Sequence, residues 1–182
     1  DADAKERFMR EAKSASALDH ANICTIFEIG ETDDGQLFMA MALYDGESLE
    51  DRLSEGPMPE AEAVDIARQI ALGLAAAHEA DIVHRDIKPA NLIVTTDGLV
   101  KILDFGVAKL VNEVGLTQTG TTLGTVAYMS PEQAAGADVD RRSDLWALGV
   151  VLYEMLAGRT PFAGEGPQAV IHNLLNREPE PL

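Results

Sequence analysis

The sequence predicts an α+β domain whose second half is dominated by helices. Three observations carry that reading. Asp34-Gly35 and Asp97-Gly98 each stand between short runs rich in β-branched and aromatic residues, the pattern of antiparallel hairpins. Between residues 59 and 80, apolar side chains recur at helical spacing. The segment 141–157 is apolar on nearly every side and ends at Gly158 with Pro161 just beyond, as a buried helix would.

Taken in order, Ala4 to Leu18 reads as a helix, because Phe8, Ala12, Ala15 and Leu18 share one face and charges fill the other. Ile23 to Ile29 and Gln36 to Ala42 read as strands joined at Asp34-Gly35, and Asp45-Gly46 ends the second. Ser48 then caps a short helix, Leu49 to Leu53, with Asp51 at the capping-box position. Pro59 opens a long helix to about Ala80, whose apolar stripe is Val64, Ala67, Ile70, Ala71, Leu74 and Ala77. Leu92 to Val94 and Leu99 to Leu103 form the second hairpin. A Thr/Gly-rich loop runs from Asn112 to about Thr125, followed after a gap by the 141–157 helix and an amphipathic helix from Pro167. No internal repeat is present.

Composition removes several function classes. The 182 residues are 46% hydrophobic and 25% charged, which suits a folded domain rather than a disordered chain. A formal charge of −17 without a Lys/Arg cluster argues against nucleic acid and anionic membrane surfaces as partners. The single cysteine, Cys24, allows no internal disulfide, fits a reducing cytoplasmic setting, and lies in an apolar run where it reads as a small buried hydrophobe. The four histidines lack zinc spacing. The longest apolar run, Leu145 to Tyr153, is far shorter than a membrane span.

The chemistry concentrates in His84-Arg85-Asp86-Ile87-Lys88-Pro89-Ala90-Asn91. A carboxylate, an ammonium and a carboxamide within six positions are the groups phosphoryl transfer needs: one to orient a hydroxyl, one to neutralise phosphate, one to hold a divalent cation. Each residue type occurs at only about 5%, so this spacing rarely arises by chance. Thirteen residues beyond Asn91, Asp104-Phe105-Gly106 ends an apolar strand; a carboxylate there converging with Asn91 makes a plausible Mg²⁺ pair. Further on come Gly124-Thr125-Val126-Ala127-Tyr128-Met129-Ser130-Pro131-Glu132 and Asp144-Leu145-Trp146-Ala147-Leu148-Gly149.

Jointly these motifs resemble the protein kinase family, and most closely the bacterial, eukaryotic-like serine/threonine kinases. The resemblance covers nearly the whole chain. It implies a protein-kinase-like fold, with residues 1–44 as a partial N-lobe (one helix, two strands) and hinge and 45–182 as most of a helical C-lobe. It implies Asp86 as catalytic base, Lys88 as the contact to the γ-phosphate of ATP, and Asn91 and Asp104 as ligands of Mg²⁺, with Mn²⁺ an alternative. Thr125 matches the threonine that bonds the base and the lysine. Glu11 matches the glutamate that pairs with an ATP-binding lysine. Met41 matches the gatekeeper, Ala42 to Tyr44 the hinge that reads the adenine edge, and Ile93 the apolar floor beneath adenine; Met41 and Ile93 are equally ordinary core positions. His84 and Phe105 resemble members of the column that aligns the lobes. Asp144 resembles the residue that bonds the backbone of the His-Arg-Asp turn, and an acid there also suits a helix N-terminus. Gly106 supplies the turn after Asp104. Thr117 and Thr119 resemble paired autophosphorylation sites whose phosphates would pair with Arg85 and order the loop.

The same resemblance implies protein substrates with Ser/Thr acceptors and self-association for autophosphorylation. No glycine-rich strand pair precedes the first helix, and Lys5 and Lys13 are misplaced to serve Glu11. The expectation is therefore a kinase domain cut at both ends, with Glu11 and Glu132 left without their family partners and little activity in these residues alone. The alternative is a non-catalytic kinase-like interaction or regulatory module. A small-molecule phosphotransferase is the weaker third reading, since it would not need the Thr-rich loop ending in Ser-Pro-Glu.

Overall fold

The computed structural model describes residues 16–105 and 123–182. Most of the expected first helix, and with it Glu11, Gly106, Thr117 and Thr119, lies outside these residues. Leu18, at the end of that helix, is half-buried against the core.

Two small antiparallel sheets form. In the first, β1 (Ile26–Glu31) pairs with β2 (Leu37–Met41) through the Asp34-Gly35 turn. In the second, β3 (Gly46–Ser48), β4 (Leu92–Thr95) and β5 (Val100–Ile102) lie in that order. The first strand thus starts later than its β-branched run suggests. Ile23 bridges β5 in parallel, opposite Ile102, and Cys24 donates its N–H to the Ile102 carbonyl at 2.9 Å. Residues 22–24 therefore lie beside the second sheet.

β3 was not expected, because Asp45-Gly46 reads as a strand end. Gly46 is instead needed inside the pairing. A Cβ there would sit 2.4 Å from the Val94 carbonyl oxygen and 2.7 Å from the Thr95 Cα, so only glycine lets the two backbones approach.

The helices follow the sequence closely. In α1 (Leu49–Leu53) the Ser48 hydroxyl accepts the Asp51 N–H at 3.0 Å and donates to the Asp51 carboxylate at 2.6 Å, so Asp51 meets the cap's hydroxyl. α2 (Glu60–Glu79) buries Ala63, Ile66, Ala67, Gln69, Ile70, Gly73, Leu74 and Ala77. Ala67, Ile70, Leu74 and Ala77 of the expected stripe are buried, Ala71 is half-buried, and Val64 is 51% exposed. A turn of 3-10 helix (Pro89–Asn91) leads into β4. Next come the short helices α3 (Leu123–Val126) and α4 (Pro131–Ala134), then α5 (Arg141–Ala157) and α6 (Pro167–Asn176).

α5 ends at Gly158 in the left-handed conformation, φ 69°, as Gly after a helix implies. It is not buried all round: Ser143, Asp144, Ala147, Val150, Val151 and Met155 are inside, whereas Leu145 is 54% exposed. α2 packs on α5, and Ile70, Leu74, Val151 and Met155 are fully enclosed with Leu92 and Ile102 from the second sheet. Burying each such side chain contributes about 1.5–3 kcal/mol. This core is the platform from which the loop 81–88 is suspended.

Candidate active site

Two residues of the loop between α2 and β4, and one after β5, take an unusual backbone conformation. Asp81, Arg85 and, after β5, Asp104 adopt positive φ (58°, 68° and 55°) without being glycine. Each costs on the order of 1–2 kcal/mol, so surrounding bonds must hold it. For Arg85 the holder is Asp144, in the first turn of α5 with its side chain fully buried. Its carboxylate accepts from the Arg85 N–H at 2.7 Å and from the His84 N–H at 2.8 Å. It also meets His78 Nε2 at 2.7 Å, from the last turn of α2. One carboxylate thereby ties both central helices to the loop.

His84 is fully buried, and its Nε2 lies 2.8 Å from the Leu103 carbonyl. Its Nδ1 accepts the Asp86 N–H at 3.2 Å. These partners select the neutral tautomer with the proton on Nε2. Burial holds the ring's pKa below the usual histidine value despite the nearby Asp144, Asp86 and Asp104 carboxylates. The ring packs edge-on against Phe105, with centroids 4.7 Å apart at 61°.

These contacts aim Asp86. Its carboxylate meets Lys88 Nζ at 2.8 Å and Asn91 Nδ2 at 3.0 Å, and Asn91 also donates to the Asp86 carbonyl at 2.8 Å. Lys88 and Asp86 keep roughly a fifth of their side chains exposed, so the pair faces solvent from a buried base. Asn91 spends Nδ2 on Asp86, which leaves its carbonyl oxygen as the atom for a cation. The Leu103 N–H binds the Asn91 backbone carbonyl at 2.9 Å, leaving the side-chain oxygen untouched, so the chain entering Asp104 runs beside Asn91. A carboxylate and a carboxamide oxygen are hard donors, the set Mg²⁺ accepts alongside phosphate and water. Thr125 and Asp86 line one cavity of about 40 Å³, with Tyr128, Met129 and Gln133.

The residues expected on the adenine side, Met41, Ala42, Tyr44 and Ile93, are less tightly joined. Met41 closes β2 and is 36% exposed. Ala42 donates its N–H to the Thr25 carbonyl at 2.9 Å, which takes that group out of any ligand contact. The Tyr44 hydroxyl accepts the Thr25 N–H at 3.1 Å, and Lys101 Nζ lies 4.7 Å from the Tyr44 ring centroid. Ile93 is half-buried on β4. Cys24 is 4% exposed and burial pushes its thiol up, in keeping with a small hydrophobe.

One expectation is overturned. Glu132 is not left unpartnered: the Ser143 hydroxyl donates to its carboxylate and holds it below the usual glutamate range. Ser130, to which the sequence attached no role, is fully buried and bonds Ser143 Oγ at 3.1 Å. It also forms a complete capping box with Gln133 at the start of α4. Ser-x-x-Gln is the pattern that could have revealed it. Two further partners were missed. His78 carried only the weak signal of a base near a helix C-terminus. Tyr128 donates to Glu154 at 2.6 Å, and burial pushes both groups up. No sequence pattern joins residues so far apart.

Comparison with known proteins agrees with this geometry. The chain is 42% identical over 97% of its length to the probable serine/threonine-protein kinase PknB of Corynebacterium glutamicum, and 44% identical over 95% to that organism's serine/threonine-protein kinase PknA. It is 43% identical over 94% of its length to the serine/threonine-protein kinase PrkC of Bacillus subtilis. It spans 28%, 38% and 26% of those relatives' own lengths. The family model described as the protein kinase domain matches residues 1–179, and the chain belongs to that family.

Proposed function

We propose that the protein transfers the γ-phosphate of ATP to Ser/Thr hydroxyls of protein substrates. The observation that carries this is the Asp86–Lys88–Asn91 cluster, joined within 3.0 Å at the end of a loop anchored to both central helices. Asp86 accepts a bond from, and orients, the attacking hydroxyl. Lys88, now bonded to Asp86, is within reach to neutralise the transferred phosphate. Asn91 and Asp104 would hold Mg²⁺ or Mn²⁺, which supplies charge neutralisation across the phosphates. Met41, Ile93 and the chain from Ala42 to Tyr44 would receive adenine, and Thr125 would steady Asp86 and Lys88 from across their shared cavity. Glu11 would anchor an ATP-binding lysine.

Arg85 is exposed beside the base and would pair with phosphates on Thr117 or Thr119, added by a second copy of the protein. The lobes would divide near residue 44. Among the described residues no helix is long and apolar enough to cross a membrane. Use of ATP would suit a domain on the cytoplasmic side of any membrane.

The test uses the full-length protein, labelled ATP and peptides whose single acceptor is Ser, Thr or Tyr. Transfer to Ser and Thr peptides is expected, with Tyr peptides unlabelled. Asp86→Ala should lower kcat by roughly 10²–10⁴-fold with folding unchanged. Equal rates in the wild type and Asp86→Ala would refute the assignment.

A further inference from the structure

We propose that Gln133, on α4, is a positioning residue for the transfer site, acting by fixing the plane of the Arg85–Asp86 peptide. The inference rests on the proposed role of Asp86. That peptide is gripped at both edges. Its carbonyl, from Arg85, accepts Gln133 Nε2 at 2.8 Å, and its N–H, from Asp86, donates to His84 Nδ1 at 3.2 Å. The preceding N–H of Arg85 is held by Asp144 at 2.7 Å. Arg85 sits at φ 68°, a conformation that relaxes toward the extended region once its bonds are released. Such relaxation turns the Arg85–Asp86 peptide, and the rotation swings the Asp86 carboxylate away from Lys88 and Asn91.

Gln133 can hold the carbonyl because its own amide is pinned. Its Oε1 accepts the Ser130 N–H at 3.0 Å, and its backbone N–H donates to Ser130 Oγ at 3.3 Å. Ser130 is fully buried and bonded to Ser143 of α5. The oxygen of the Gln133 amide therefore caps a helix while the nitrogen reaches the catalytic loop. The two halves of the side chain do separable work. Glutamate is as good as glutamine in a capping box, but an ionised carboxylate has no hydrogen to give the Arg85 carbonyl.

Gln133→Glu in the full-length protein separates them. Expected are a kcat lower by about tenfold, a KM for ATP within about twofold of wild type, and a thermal midpoint within about 2 °C. A merely structural role would not produce that split, because a loosened α4 would lower the thermal midpoint together with kcat. Gln133→Met, which removes both side-chain bonds, should lose kcat at least as far and also lose stability at the α4 cap. A Gln133→Glu kcat within about twofold of wild type, a loss of kcat matched by a fall in thermal midpoint well beyond about 2 °C, or failure of both variants to fold would overturn the proposal. Asp86→Ala is assayed alongside. Should Asp86→Ala stay active, the role of Asp86 fails; should it be silent while Gln133→Glu is fully active, only the role of Gln133 fails.

Discussion

Asp144→Ala is expected to destabilise the domain by about 3–5 kcal/mol and to lower kcat by at least about 10²-fold. The carboxylate is fully buried and receives the His84 and Arg85 N–H groups and His78 Nε2, all within 2.8 Å. Truncation leaves two backbone donors without an acceptor, each costing about 1–3 kcal/mol, and removes the partner of His78. It also frees Arg85 from its left-handed conformation, so the kinetic loss should persist at temperatures where the variant is still folded. Asp144→Asn is a sharper probe. It keeps the volume and one acceptor but turns an NH₂ toward a backbone N–H, so it should lose about 2 kcal/mol or more. Chemical unfolding and steady-state kinetics on both variants check this. Stability within about 1 kcal/mol of wild type, or kcat within about threefold, would show that the loop is held by other means.

Why Asp144 was legible in the sequence and Gln133 was not is a matter of range. Asp86, Lys88, Asn91, Asp104 and Asp144 stand in short motifs, and the resemblance those motifs carry gave each a role. The geometry joins Asp86, Lys88 and Asn91 directly and has Asp144 bonding the loop backbone. Helix limits were legible because caps are local: Ser48 and Gly158 stand where the ends are. Facing was not. Val64 and Leu145 are exposed because which side of a helix is buried depends on what packs against it, and composition alone does not carry that. β3 was missed for the same reason, since Gly46 acts on a strand nearly fifty residues away. Glu132 reads as unpartnered when only the family's own partner is considered. A hydroxyl from the next helix, Ser143, satisfies it, and hydroxyl pairings leave no spacing signature.

His84 gives the second large effect, in the pH dependence of stability. Its folded pKa is depressed, first by burial. In the unfolded chain the ring returns to about 6.5. Below that value the unfolded state binds a proton that the folded state refuses, so stability present above pH 6.5 is lost as pH falls toward the folded pKa. Across that window the slope from this one group approaches about 1.4 kcal/mol per pH unit. The structural reason is specific. A proton on Nδ1 would confront the Asp86 N–H that this nitrogen accepts, while Nε2 is already committed to the Leu103 carbonyl. Acid therefore strikes the peptide that aims the base, and the catalytic loop should loosen before the α2–α5 core does. His84→Phe keeps a ring against Phe105 but has nothing to protonate. It should be less stable at neutral pH by about 2–3 kcal/mol, for two lost bonds. Its unfolding free energy should also fall less steeply than that of wild type between pH 6.5 and 5. Carboxylates elsewhere contribute equally to both proteins, so the difference between the two slopes isolates His84. Parallel slopes would mean that the buried ring accepts its proton with the loop intact.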